Sequence, residues 1–112
     1  MAIKLMYITN QIDVALVAEK AGVDRIFIDL ETVGKQERQG GMDTVQSKHE
    51  IADIQNIRNV LTKAELLVRA NPIYENSEKE IDEIVKSGAD IIMLPYFKTV
   101  GEVETFIKFV GG

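Results

Sequence analysis

Short apolar runs alternate along the chain with longer segments in which apolar residues recur every three or four positions. Continuous runs rich in Ile, Leu and Val are typical of strands buried in a parallel sheet, whereas the spaced residues are typical of helices that cover such a sheet. The pattern predicts strands at 3–8, 24–31, 66–70 and 90–95, each followed by a helix. This order requires parallel pairing through right-handed crossovers.

Capping motifs mark where three of these helices are expected to begin. In the motif, a Ser or Thr and a Glu three residues later each satisfy a backbone N–H of the first turn, and it occurs at 47–50, 77–80 and 99–102. Asn10 is the expected cap of the first helix. His49, the only histidine, is expected to be a solvated residue at a helix start, because a catalytic role would require the preceding loop to fold inward. That loop, at 32–46, is either a binding loop or a surface insertion.

An internal repeat supports the predicted fold. Segments 20–28 and 86–94 each contain a helix end, a glycine stop and a strand start, with Asp24 and Asp90 expected to cap their strands. Their offset equals two units of about 33 residues, and eight such units give about the length of a (β/α)8 barrel. We therefore predict an α/β fold, a parallel (βα)4 half of a TIM barrel, with residues 1–112 forming a single partial domain. Because a half barrel leaves two strand edges open, we expect either a fragment of a longer protein or a half barrel that self-associates.

Composition narrows the classes of partner. The 112 residues include 13 Lys and Arg against 18 Asp and Glu, giving a net charge of -5, and no cysteine. No basic cluster is present that would follow a phosphate backbone, so we expect no nucleic acid partner. The lack of cysteine excludes disulfides and thiolate metal sites. No apolar run approaches the ~20 residues that span a bilayer, so we expect no membrane partner and a cytoplasmic location.

Polar residues follow two neighbouring strands where these strands end. Asp29 and Glu31 share one face of the second strand, and Arg69 and Asn71 share one face of the third. Parallel strands lie about 4.8 Å apart, so these side chains can meet in one pocket, with Pro95 after the fourth strand as a wall. An arginine there is suited to binding a small carboxylate or 2-oxo acid through its planar donors. The alternative is that Arg69 pairs with Asp29 only to allow both to be buried.

Three segments resemble the HpcH/HpaI aldolase and citrate lyase β-subunit family, whose fold is the phosphoenolpyruvate/pyruvate-domain TIM barrel. They are the acidic strand-two motif at 28–31, the Val-Arg-x-Asn motif at 68–71 and the Gly-x-Asp segment with its apolar strand at 88–95. The similarity covers nearly all of the chain but only the first half of a family member. In the aldolase branch a histidine follows the strand-two glutamate, and Thr32 stands at that position here.

The resemblance implies a metal-dependent carbon-carbon lyase, an aldolase or citrate-lyase-like enzyme, acting on a pyruvate-like 2-oxo acid or an acyl substrate. Arg69 would bind the carboxylate and oxo group, with Glu31 and Asp29 beside it as further catalytic residues and Asn71 and Pro95 contacting substrate. A divalent metal, Mg²⁺ or Mn²⁺, would polarise the oxo group from ligands on later strands, beyond this chain. Residues 1–112 alone are then expected to be inactive and to form a homo-oligomer. The alternative is a non-catalytic half barrel that self-associates.

Overall fold

A computed structural model describes residues 3–31 and 49–111, in which four parallel strands alternate with four helices. Each strand pairs with the next one in the chain, so the sheet order is β1-β2-β3-β4. The α/β class and the four strand-helix units are confirmed, and the order is consistent with a (βα)4 half barrel. The strands are β1 (Met6–Ile8), β2 (Arg25–Asp29), β3 (Glu65–Arg69) and β4 (Ile91–Met93), and the helices are α1 (Ile12–Lys20), α2 (Ile51–Val60), α3 (Ser77–Lys86) and α4 (Val100–Gly111).

One face of the sheet packs against the helices and forms the core. Alternate residues of β2 and β3 point to this face, and Ile54 and Ile57 of α2 meet them as the apolar stripe predicted. The opposite face carries Phe27 and Leu67, followed by the polar residues at the strand ends. The core cluster comprises Ala15, Ala18, Ile26, Ile28, Leu30, Ile54, Ile57, Leu61, Ala64, Leu66, Val68, Ala70 and Ile84.

The edge strands are shorter than predicted. At the start of β1, the carbonyl of Leu5 accepts the N–H groups of both Asp24 and Arg25, at 3.0 and 3.1 Å. This double contact interrupts the even spacing of a parallel ladder, so the regular strand begins only at Met6. The apolar residues of the last two helices are less buried than those of α2: Val85 near the end of α3 is exposed, and no residue of α4 is buried.

The repeat of glycine and aspartate is confirmed, although the aspartates act differently from the prediction. Gly22 and Gly88 have φ angles of 104° and 105°, the left-handed conformation that ends a helix and favours glycine. Asp24 does not cap its own strand: its Oδ2 accepts the N–H of Leu5 before β1, at 2.8 Å. The Oδ2 of Asp90 likewise accepts the N–H of Leu66 in β3, at 2.9 Å. Each aspartate therefore joins the amino ends of two neighbouring strands.

The capping motif at 99–102 is confirmed, because Thr99 and Glu102 each accept the other's backbone N–H at 3.1 Å. The prediction of a cap at 77–80 is wrong, since Asn76 is the cap residue of α3 and Ser77 Oγ accepts the N–H of Tyr74. Glu80, the acidic member of that motif, instead accepts hydrogen bonds from Asn71 and Tyr74.

The other two helix starts also differ from the prediction. At α2 the structure forms a box one turn later than predicted, with Asp53 accepting the N–H of Glu50 at 2.7 Å; Ser47 and the loop at 32–46 lie outside the described residues. At α1, Gln11 is the cap residue, and the side chain of Asn10 donates to Asp53.

A carboxylate on α1 organises the approach to β3. Glu19 accepts the N–H groups of Thr62, Lys63 and Ala64 at distances of 2.7 to 2.9 Å. The slight burial of Glu19 acts to raise its pKa, but the three backbone donors together lower the pKa below its ordinary value. No helix in the described part of the chain has the length and apolar character needed to cross a membrane.

Candidate functional site

A two-pronged ion pair joins the carboxyl ends of β2 and β3. The strand register places Asp29 directly opposite Arg69, and Nε and Nη2 of the arginine donate to Oδ1 and Oδ2 of the aspartate at 3.0 and 2.6 Å. This two-pronged geometry uses one edge of the planar guanidinium and fixes its orientation. The predicted meeting of these two side chains is therefore present in the structure.

Glu31 joins the same cluster from beyond the end of β2. It is 1% exposed, and its Oε2 lies 3.2 Å from Nε of Arg69. Its own N–H donates to Oδ1 of Asp29 at 3.1 Å, a local turn that directs the glutamate toward the arginine. One guanidinium thus serves two carboxylates, and the three groups carry a net charge of -1 when all are ionised.

The surroundings of Arg69 hold it in its charged form. The hydrogen bonds to Asp29 raise its pKa above the ordinary value, against the opposing effect of partial burial. The charges of Asp29 and Glu31, and that of the Tyr96 phenol when ionised, act in the same direction as the hydrogen bonds. The guanidinium carbon also lies 5.6 Å from the centre of the Phe27 ring. The arginine is thereby held against an aromatic face with its fork turned to the acids.

His49 is buried, so the prediction of a solvated helix-start residue is wrong. It is 8% exposed, and its Nδ1 accepts the backbone N–H of Asp29 at 2.9 Å. An accepting Nδ1 requires the tautomer that carries its proton on Nε2. The histidine therefore supports the backbone of the residue that holds Arg69. No local sequence pattern identifies this contact, because it joins residues from different elements.

Asn71 is held by α3 rather than directed along the face that carries Arg69. Its Nδ2 donates to the carbonyl of Leu30 at 3.2 Å and to Glu80 Oε2 at 3.0 Å, and its N–H donates to Glu80 Oε1 at 2.8 Å. Tyr74 donates its hydroxyl to the same carboxylate at 2.6 Å. Burial, and then the bond to Glu80, raise the pKa of Tyr74 to about 12. Glu80 thus links the ends of β2 and β3 to the helix layer.

These contacts of Asn71 correct the prediction that Arg69 and Asn71 share one face. Strict alternation ends where β3 ends, and beyond that point Glu80 sets the direction of the asparagine. A cleft of about 180 Å³ lies beside Asn71 and Glu80. The described residues that line it are Leu30, His49, Glu50, Ile51, Asn71 and Glu80.

Pro95 and Tyr96 follow β4 at the same edge of the sheet. Pro95 is buried there, at the position predicted for a pocket wall. Tyr96 is the one non-glycine residue with positive φ in the described ranges, with φ 49°. The sequence does not reveal this conformation of Tyr96, because side-chain type alone does not show a positive φ angle.

The acids of this site do not by themselves fit a divalent metal. Among the residues that the structure describes, no three potential ligands of the His, Cys, Asp or Glu type lie together. Asp29 also directs both carboxylate oxygens toward donors, namely Arg69 and the N–H of Glu31. The part of the cluster that the structure describes therefore does not contain a complete set of metal ligands.

Comparisons with known proteins give no further identification. No protein-family model matches the chain, and no curated protein matches it significantly.

The bond from Asp29 to His49 predicts different effects for two substitutions. His49→Leu leaves a buried N–H without its acceptor, and we expect it to lower the free energy of unfolding by about 1–3 kcal/mol in urea denaturation. His49→Asn places an amide oxygen near the position of Nδ1, so we expect it to be the more stable of the two. A leucine variant as stable as the parent protein would show that this bond contributes nothing.

Proposed function

We propose that the cluster of Asp29, Glu31 and Arg69 is one wall of the active site of a carbon-carbon lyase that acts on a 2-oxo acid or related acyl substrate. The observation that carries the proposal is the geometry of Arg69, whose fork is held by Asp29 across two strands at their carboxyl ends. Ligands of open α/β sheets and of (β/α)8 barrels bind at this edge. The sequential strand order supports placing these four units in half of such a barrel.

Arg69 would bind the reacting part of the substrate. The bonds to Asp29 use Nε and one N–H of Nη2, so Nη1 and the second N–H of Nη2 are the groups that would donate to a carboxylate or oxo group. In the cleavage direction, the substrate hydroxyl passes its proton to a water molecule, and the carbon that carries it becomes a carbonyl as the adjacent carbon-carbon bond breaks. The electron pair of that bond passes into the 2-oxo group to give an enolate, whose carbon then takes up a proton from water. A fixed guanidinium beside that oxygen stabilises the developing negative charge.

The two acids have separate roles in this proposal. Asp29 positions the arginine, so that little rearrangement is needed when the substrate binds. Glu31 is buried beside the same nitrogen and would orient a water molecule or the substrate hydroxyl. The proposal also includes a divalent metal, Mg²⁺ or Mn²⁺, held by residues outside these four strands, which would supply Lewis-acid polarisation.

Binding of a substrate mimic tests this assignment. Oxalate resembles the pyruvate enolate, and we expect it to shift the NMR signals of Asp29, Arg69 and the residues after β4 when it is titrated with excess MgCl₂. Arg69→Gln removes the charged donors, so we expect the dissociation constant to rise at least about 10-fold.

The control for this substitution is Arg25→Gln. Arg25 lies at the opposite end of β2 and pairs there with Glu65 at 3.2 Å, so we expect its replacement to leave oxalate affinity unchanged. Equal effects of the two substitutions, or no binding to the parent protein, would contradict the proposed function.

A second candidate is a non-catalytic half barrel that self-associates, favoured by apolar exposure at both edges of the described sheet. Ile8 on β1 is 58% exposed, and Ile107 on α4 is 62% exposed. A groove of about 380 Å³ beside β4 is lined by Val85, Ala89, Asp90, Ile92, Phe106, Ile107, Val110 and Gly111. The edge strands β1 and β4 have the same length, so β1 of one copy can pair in parallel with β4 of a second copy.

Light scattering tests whether the chain self-associates. The second candidate predicts a particle with twice the chain mass of 12.5 kDa. Ile8→Lys should convert this dimer to a monomer, because it places a charge at the strand pair between the two copies. Gln55→Lys adds the same charge on the exposed side of α2 and should leave the dimer intact. A monomeric parent protein would exclude self-association.

A further inference from the structure

Glu80 holds the segment between β3 and α3 through three donors. Its Oε1 accepts the backbone N–H of Asn71 at 2.8 Å, and its Oε2 accepts Nδ2 of Asn71 at 3.0 Å and the hydroxyl of Tyr74 at 2.6 Å. An ionised carboxylate has acceptors at both oxygens, so it can serve all three donors at once. Glutamine, which has the same size, offers an acceptor at only one of the two positions.

The bonds to Glu80 set the orientation of the Asn71 amide. Its Nδ2 lies between two acceptors, Oε2 of Glu80 and the carbonyl oxygen of Leu30, at 3.0 and 3.2 Å. An amide turned the other way would place its own oxygen against both of them, so only the NH₂ group fits. Glu80 thereby holds a donor on the carbonyl of Leu30, the residue that follows the end of β2.

The peptide group between Leu30 and Glu31 continues this contact toward Arg69. On one side the Leu30 carbonyl accepts the bond from Asn71. On the other side the N–H of Glu31 donates to Oδ1 of Asp29 at 3.1 Å, and the same oxygen accepts Nε–H of Arg69 at 3.0 Å. Because a peptide group is planar, bonds at its two ends fix its orientation, and hydrogen bonds in series polarise one another. An unbroken series of hydrogen bonds therefore runs from α3 to the guanidinium.

We infer that Glu80 is a positioning residue for Arg69, acting through the hydrogen-bonded series that begins at Asn71. The inference rests on the function proposed above, and it adds α3 to a site otherwise built from β2 and β3. Without the carboxylate of Glu80 this series is interrupted, and the guanidinium is held less firmly before the substrate binds. A binding group that must first be ordered binds its ligand with lower affinity.

A purely structural role for Glu80 predicts a different result. In that case the carboxylate only joins α3 to the segment before it, and its removal lowers stability with no effect at Arg69. Tyr74→Phe separates the two roles, because it removes one bond to Glu80 and leaves both bonds from Asn71 in place. Glu78→Gln is the matched control, since it removes the same charge from an exposed residue of the same helix.

Glu80→Gln is the principal test. Whichever way the new amide turns, its NH₂ group faces one of the two N–H donors of Asn71, so one of these bonds is lost. We expect the NMR signal of the Arg69 Nε–H to move, and the Glu31 N–H to exchange with solvent about 5-fold faster as its hydrogen bond weakens. In the titration of oxalate with excess MgCl₂, we expect the dissociation constant to rise about 5-fold.

The two comparison variants, Tyr74→Phe and Glu78→Gln, should stay within about twofold of the parent protein in exchange rate and in oxalate affinity. Asn71→Ala removes the donor to Leu30 and leaves the bond between Glu80 and Tyr74. It should therefore move the same Arg69 signal, and it decides the inference if Glu80→Gln does not fold.

An unmoved Arg69 signal would overturn the positioning role of Glu80, and so would an oxalate affinity of Glu80→Gln equal to that of Tyr74→Phe. Either result would leave Arg69 as the anion-binding residue. No oxalate binding by the parent protein would instead overturn the proposed function, and the positioning role with it.

Discussion

The ion pair between Asp29 and Arg69 is the interaction on which the carboxyl edge of the sheet depends. It crosses from β2 to β3 with two hydrogen bonds, and Glu31 and the ring of Phe27 also lie close to the guanidinium. His49 holds the backbone of Asp29 from the side of α2. Because a partly buried arginine with one well-fixed partner has few alternative positions, the polar groups at this edge form a preorganised arrangement.

The sequence predicts the sheet and this pair for the same physical reason. Side chains alternate along a strand, and in-register neighbours in a parallel sheet lie side by side. Apolar runs locate β2 and β3, and the alternation then places Asp29 and Arg69 on one face, as the structure shows. The glycine and aspartate repeat is also visible in the sequence, because Gly22 and Gly88 require the same backbone conformation.

The sequence does not predict contacts that are decided after the regular elements end. Glu80 matches a capping motif, yet it accepts hydrogen bonds from Asn71 and Tyr74. The buried amide of Asn71 requires partners within the protein, whereas water can satisfy the N–H groups at an exposed helix start. His49 is buried through a contact with a strand distant in the chain. The strain at Tyr96 is a property of the backbone. Periodicity carries no information on such contacts, and each of them changes the description of the site.

A double-mutant cycle tests the central claim most directly. The free energy of unfolding is measured in urea for the parent protein, Asp29→Asn, Arg69→Gln and the double variant. The account predicts a coupling energy of about 2 kcal/mol for this partly buried, two-pronged pair. The exposed pair of Arg25 and Glu65, on the same two strands, should give about 0.5 kcal/mol in a parallel cycle. Equal coupling in the two cycles would contradict the claim that Asp29 and Arg69 organise the site.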